Sequence, residues 1–310
     1  MNVDFIANWL ASTPIFAVPL IIAALGLIIN ERAGVLNLGA EGFLLCGALA
    51  SMIAYLDLGG NMWVGLMAAI VVGAIMGAIF AFLVVILRNN QVVTGITFVF
   101  FGSGLTGLLG TPWTNKAIAG IQPIYIPILS DIPYFGKVIF SQDLVVYATA
   151  LIPYFIWRYL NRSLTGLRLR AVGENPQAAD ADGVSVTTYR FVAVVVGGAF
   201  LGLAGGYLVL ASAKIFVFDM THGRGWIAIA LVIFSRWMPG RAVLGGLLFG
   251  GIEALIPRIM AAGLPVPQYY LLMMPYAITL AVLIYSAVSS RHGQNAPLAL
   301  GLPYIREDRR

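Results

Sequence analysis

The sequence predicts an all-α fold, a polytopic transmembrane helix bundle. Composition points there first. Of 310 residues, 60% are hydrophobic and only 10% are charged, with a mean hydropathy of +0.91. A soluble domain has about 45–50% apolar and about 25% charged residues, so this chain lacks the charge that a water-facing surface needs. Second, nine hydrophobic runs recur along the chain, at about 14–30, 38–56, 62–87, 91–110, 143–160, 189–212, 225–237, 241–258 and 269–289. Most are near the ~20 residues that cross a bilayer. Third, the runs do not alternate with period two as barrel strands would. A backbone in lipid satisfies its polar groups only as a helix or a closed barrel, so each crossing is a helix. With runs over the whole length, residues 1–310 read as a single transmembrane domain.

Taken in order, the first run is preceded by a segment, Met1–Leu10, without Lys or Arg. A secretory signal needs a basic start, so this is not one. An uncharged start suits an N-terminus outside the membrane. That topology puts 13 of the 18 Lys and Arg residues in inner loops, Arg306, Arg309 and Arg310 of the tail included. Lys116, Lys137, Lys214, Arg224 and Arg258 fall outside. The excess then obeys the positive-inside rule, with the C-terminus cytoplasmic. Because the basic residues are spread between apolar runs, the pI of about 9.4 marks orientation and not a nucleic-acid surface. The partner environment is membrane lipid, with no nucleic acid.

Two stretches interrupt a simple up-and-down count. Glu31–Gly39 joins the first two runs with polar residues and glycines. The run 225–237 would be about 20 Å long as a helix, too short to cross alone. Broken helices at membrane depth are tolerated only where protein or a water-filled path covers them. Both breaks lining a translocation route is one reading; a tight loop and a tilted short helix is the other. The long loop 111–142, with Pro112, Pro123, Pro127 and Pro133, is expected to cap the outer mouth or meet an external partner.

The fourth run carries Thr94 and Thr97, three apart and so on one helix face. They could line a path for a polar solute or bond neighbouring helices. Glu253 lies inside the eighth run and Glu41 begins the second. Ionisable groups in a membrane are costly and are functional candidates by default. Candidate path residues are therefore Asn37, Glu41, Thr94, Thr97, Trp226 and Glu253. No cluster of like charges marks a cation or anion site, and a neutral, hydroxyl-bearing solute fits, with Trp226 offering an aromatic face. The stripes Gly73-x3-Gly77, Gly198-x3-Gly202-x3-Gly206 and Gly246-x3-Gly250 read as helix packing.

The inner loop 161–188 holds the most informative motif, from Thr165 to Ser185. Asn175-Pro176 is a helix start, since Asn caps free N–H groups and Pro suits the first position. Gly183 is a natural stop. The short helix between them carries Ala178, Ala179 and Ala181 and is too short to stand alone in water. It docks on a partner or serves as a solvated connector.

This loop resembles the coupling helix of ABC importer permeases of the branched-chain amino acid and ribose permease superfamily. The nucleoside-type branch, which works with basic-membrane-lipoprotein binding proteins, is the nearest match. Also similar are Asn30-Glu-Arg-Ala-Gly-Val-Leu-Asn-Leu-Gly-Ala-Glu-Gly42, Thr221-His-Gly-Arg-Gly-Trp-Ile-Ala-Ile-Ala230 and Ile233-Phe-Ser-Arg-Trp-Met-Pro-Gly240. The likeness runs from about residue 20 to 290, with Gly240-Arg241 replacing an expected apolar pair. It implies a permease in a bacterial cytoplasmic (inner) membrane. Its expected partners are an ABC ATPase subunit, a second and related permease chain, and an external substrate-binding lipoprotein. It also implies that Glu174, Asn175, Pro176, Ala178, Ala179 and Gly183 meet the ATPase, and that the solute is a nucleoside.

No Gly-x4-Gly-Lys-Ser/Thr loop is present, so ATP is expected on a partner subunit. No cofactor, metal or catalytic residue is expected on this chain, because His, Cys and carboxylates do not cluster. A simple-sugar importer and, further off, a gradient-driven carrier are the competing functions.

Overall fold

The computed structural model describes residues 3–261, 267–289 and 296–305. In chain order the helices are α1 (Val3–Arg32), α2 (Ala40–Asp57), α3 (Met62–Ala81), α4 (Gln91–Gly110), α5 (Leu144–Arg162) and α6 (Leu164–Glu174). After these come α7 (Pro176–Ala181), α8 (Val186–Tyr207), α9 (Arg224–Phe234), α10 (Pro239–Ala261) and α11 (Gln268–Ser289). π-helical turns extend α3 to Ile86 and α8 to Ala213. Among the described residues there is no strand, only one isolated antiparallel bridge between Ala117 and Ile215.

Among the described residues six helices are long and apolar enough to cross a membrane: Asp4–Arg32, Ala40–Asp57, Met62–Ile86, Gln91–Trp113, Val186–Ala213 and Pro239–Ala261. The remaining expected segments are also helical, α5 with 19 residues, α11 with 22 and α9 with 11. The expected break between the first two runs is real: residues 33–39 are not helical. The basic tail 306–310 and Arg291 lie outside the described residues.

The core is built on α1 and α8. Leu20, Ile22, Leu25, Leu27 and Ile28 of α1 are all fully buried, although they point in every direction around the helix. A helix apolar on all sides is one surrounded by others. Around α8 the packing is set by glycine. A Cβ on Gly73 of α3 would fall 2.3 Å from the Gly198 carbonyl of α8, and one on Gly205 of α8 would fall 1.9 Å from the Leu44 carbonyl of α2. Such backbone contact is the means by which membrane helices gain packing energy without a hydrophobic drive. All three predicted glycine stripes fall at helix contacts, Gly250 against Ala17 of α1 among them. Outward faces are apolar, as with Met67, Val71 and Ile75 on α3, Phe100 and Leu108 on α4, and Leu151 and Phe155 on α5.

The two ends of the bundle differ. At one end the long loop 111–143 lies over the helix ends. Gln142 Nε2 donates to the Ala11 carbonyl (3.0 Å), and Ile118 N and Ile121 N donate to the Lys214 and Leu210 carbonyls. The loop is thus tied to the ends of α1 and of the π-helical extension of α8. The opposite end carries α6, α7 and the segment 296–305. Here the structure corrects the reading of 161–188 as a loop with one short helix. An 11-residue helix, α6, fills its first half, capped by Ser163 Oγ, which accepts from Gly166 N at 3.0 Å.

Candidate functional site: two helix starts joined by Glu41

Two broken stretches meet inside the bundle. The first, 33–39, is shaped by side-chain amides. Gln91 Oε1 at the start of α4 accepts from Leu36 N (2.7 Å), and Asn37 Oδ1 accepts from Gly39 N (2.9 Å). Asn37 is fully buried, and its Nδ2 has no hydrogen-bond partner. The second stretch, 214–223, follows the π turn of α8 and leads into α9. At 11 residues α9 is about 16 Å long, so it cannot span the ~30 Å hydrocarbon core alone.

Glu41, in the first turn of α2, joins the two. Its Oε1 accepts from Gly223 N at 2.7 Å and its Oε2 from Gly225 N at 2.6 Å. Glu41 is buried. A helix start leaves four N–H groups without intrahelical partners and carries a partial positive charge, so a buried carboxylate is held there by hydrogen bonds and by the dipole. Glycine is required on the α9 side. Gly223 has φ +78°, and a Cβ on Gly225 would fall 2.4 Å from Glu41 N.

Arg224 sits between these glycines and turns the other way, toward α10. Its Nη2 lies 2.8 Å and its Nε 3.0 Å from Glu253 Oε2. Its Nη1 donates to the Met220 carbonyl at 3.2 Å. The expectation that Arg224 belongs to an outer loop is thus corrected: it is the first residue of α9, paired within the bundle. Tyr276 of α11 donates its hydroxyl to the His222 carbonyl. These groups line a cavity of about 480 Å³ with Phe16, Ile227, Ile256, Pro257 and Pro275. It holds one cation and one carboxylate, paired to each other, with an imidazole and a phenol. Among the described residues the charges of this lining cancel and the rest of it is largely apolar, which suits an uncharged solute.

The predicted path residues divide. Asn37, Glu41 and Glu253 belong to this assembly. Thr94 and Thr97 differ in exposure, Thr94 being buried and Thr97 exposed. Each hydroxyl bonds a carbonyl four residues back, Thr94 to Asn90 (2.8 Å) and Thr97 to Val93 (2.9 Å), a local bond that needs neither solute nor neighbour. Trp226 is 43% exposed and does not line the cavity. Arg224, Gly223, Gly225 and Tyr276 were missed. The alternation of Gly223-Arg224-Gly225 was the available signal for the glycines, whereas Tyr276 had none.

At the far end, α7 forms as its residues predict. Asn175 Oδ1 accepts from Ala178 N at 3.0 Å, Pro176 is the first helical residue, and Gly183 ends the turn at φ +78°. The six residues do not share one face. Glu174, Asn175, Ala178 and Gly183 are exposed, while Pro176 and Ala179 are buried, Ala179 against Val172 and Val186. Burial of Ala179 in its own module corrects its expected place on a partner-facing surface. Among the described residues, no three His, Cys, Asp or Glu side chains are grouped as metal ligands would be.

A bundle of apolar helices with discontinuous helices meeting inside it, and a small amphipathic module at one end, defines a multi-pass membrane permease. The chain belongs to the family described as the branched-chain amino acid transport system permease component, whose model matches residues 9–283. It is a family of transport permeases and not of catalysts. Among relatives, the chain is 38% identical to a putative glucose ABC transporter permease protein, TsgC13, of Haloferax volcanii, over 98% of this chain and 99% of that one. The guanosine ABC transporter permease protein NupQ of Bacillus subtilis is 34% identical, over 96% of each chain. The nucleoside ABC transporter permease protein NupC of Lactococcus lactis is 31% identical, again over 96% of each.

Proposed function

We propose that this chain is one permease subunit of an ATP-driven importer for nucleosides. The observation that carries the reading is the cavity beside the Glu41 junction, whose described charges cancel, in a chain related over nearly its full length to guanosine and nucleoside permeases. A nucleoside is uncharged, carries hydroxyls and ring nitrogens, and offers a flat face to apolar side chains such as Phe16 and Ile227.

In this reading α7 is the contact for a separate ABC ATPase subunit, which binds the ATP. Its exposed Ala178 is small enough to enter a groove, while buried Ala179 fastens the helix to the permease. The α7 end faces the cytoplasm, and the loop 111–143 faces an external binding lipoprotein. A related but different permease chain completes the pore. A second solute class, the simple sugars, is favoured by the 38% likeness to a putative glucose permease.

Uptake of labelled guanosine by cells lacking the chain, and by cells given it back, tests the reading. Excess unlabelled ribose and glucose serve as competitors. Uptake that returns with the chain and ignores both sugars is the expected result. Guanosine uptake that is indifferent to the chain, with glucose uptake that depends on it, would replace the nucleoside by a sugar.

A further inference from the structure

The segment 296–305 lies across the α7 end and touches α6, the α6–α7 module and the break between α1 and α2. Ala299 N donates to the Gly173 carbonyl at the end of α6 (3.0 Å). Leu298 N donates to Glu174 Oε2 (3.3 Å). Gly301 N donates to the Gly34 carbonyl in the break between α1 and α2 (3.2 Å). Tyr304 packs against the small cluster formed by Val172, Ala179 and Val186, which joins the buried side of the α6–α7 module to the start of α8.

Arg190 of α8 fixes the far edge of this arrangement. The side chain is 3% exposed, and its Nη1 donates to the Leu302 carbonyl at 2.9 Å. Its Nε and Nη2 are buried without a hydrogen-bond partner. The segment therefore supplies the hydrogen-bond acceptor that this buried guanidinium has, and burying a guanidinium without one would be costly. Space is tight throughout. A Cβ on Gly34 would fall 2.9 Å from Arg190 Nη2 and 3.2 Å from the Ala299 carbonyl, and one on Gly173 would fall 2.2 Å from the Arg32 carbonyl.

We propose that residues 296–305 are a strap that holds α7 in register with the Gly34 break, so that motion imposed at α7 reaches Glu41. From Gly34 the chain runs seven positions to Glu41, through the Asn37 turn, and Glu41 holds the start of α9. Packed side chains and hydrogen bonds between rigid elements are the physical means by which two sites share free energy. Without the strap, α7 would still meet a partner through its exposed face, but would be joined to the break mainly through the end of α6. Arg190 acts as a positioning residue for the strap. The proposal rests on the reading of α7 as the ATPase contact.

The test uses the assembled importer in proteoliposomes, with guanosine moved per ATP hydrolysed as the readout. One variant ends the chain at Asn295. A second, Arg190→Met, keeps the strap and removes its anchor, and Arg190→Lys returns a donor. The expected result is normal co-purification of the ATPase and ATP hydrolysis within about twofold of the parent, with transport per ATP lowered about tenfold in the first two variants. Arg190→Lys is expected to recover part of that loss. Transport per ATP that stays level in both the shortened chain and Arg190→Met overturns the strap. Loss of the ATPase from the shortened complex also overturns it, because the segment would then be a docking surface. Ala178→Glu is the reference: if it transports normally, the reading of α7 fails and the strap with it. If it is inactive while the shortened chain transports normally per ATP, the strap alone fails.

Discussion

Glu41 illustrates what one residue does in a medium that offers no water. Its two oxygens take the N–H groups of Gly223 and Gly225, so each carboxylate oxygen has one donor. Glutamine has a single acceptor and would point an NH2 group at one of those donors. An unsatisfied buried donor costs about 1–3 kcal/mol, so Glu41→Gln should lower the thermal stability of the purified chain measurably and reduce uptake. Gly225→Ala should act more strongly on uptake, since the added methyl would overlap Glu41 N and push α9 from α2. A chain that reaches the membrane and imports at the parent rate with alanine at 225 would refute the junction. The Arg224–Glu253 pair, with side chains 16% and 9% exposed, makes a separate prediction. Removing one partner of a buried pair costs about 3–5 kcal/mol, whereas replacing both is far milder. Arg224→Met and Glu253→Leu singly should each destabilise more than the two together, as read by thermal unfolding. Strict additivity would mean the charges do not interact. Both carboxylates could be singled out from sequence because charge in an apolar run is costly. Their partners could not, because they lie 182 and 184 positions from Glu41 and 29 from Glu253, and no local rule joins such distances.

Elements fared by how local their causes are. The short helix α7 was legible to the residue, because an Asn cap, a Pro at the first position and a terminal Gly all act within ten positions. Its neighbour α6 was not read as a helix. Two arginines and two glycines interrupt its apolar pattern, and its form depends on the Ser163 cap and on packing against α5. On α4 each threonine hydroxyl is satisfied on the carbonyl four residues back, as a hydroxyl in a membrane helix always can be. Which face of α7 points outward needed the neighbours Val172 and Val186, and that division gives a prediction at this scale. Ala178→Glu should leave the chain folded and membrane-inserted yet stop transport, because residue 178 is exposed. Ala179→Glu should instead weaken the module itself, since it would bury an unpaired carboxylate. Limited proteolysis separates the two: the 179 variant should be cut in 161–188 and the 178 variant should resist as the parent does. Equal resistance in both would mean that Ala179 is not the anchor.

For the molecule as a whole, the sequence carried the class and the glycine-packed helix order, while the closure of the bundle came only with tertiary contact. The strap of 296–305 follows a polar stretch and has no periodicity or cap to announce it. Orientation belongs to this scale too, since it is a property of all loops taken together. The sequence expectation of an excess of Lys and Arg in inner loops would put the α7 side in the cytoplasm, and it can be tested. The chain is suited to a direct measurement, because its single cysteine, Cys46, is buried at 4% exposure and gives little background labelling. Leu58, between α2 and α3, is 63% exposed at the end covered by the loop 111–143, where Trp113 reaches Asp57. Ala181, on α7, is exposed at the other end. With a membrane-impermeant maleimide, Leu58→Cys should label in intact cells, and Ala181→Cys should label only after the cells are opened. The opposite pattern would turn the molecule over. It would place α7 on the outside, away from ATP, and so remove the physical basis for a coupling role at that helix.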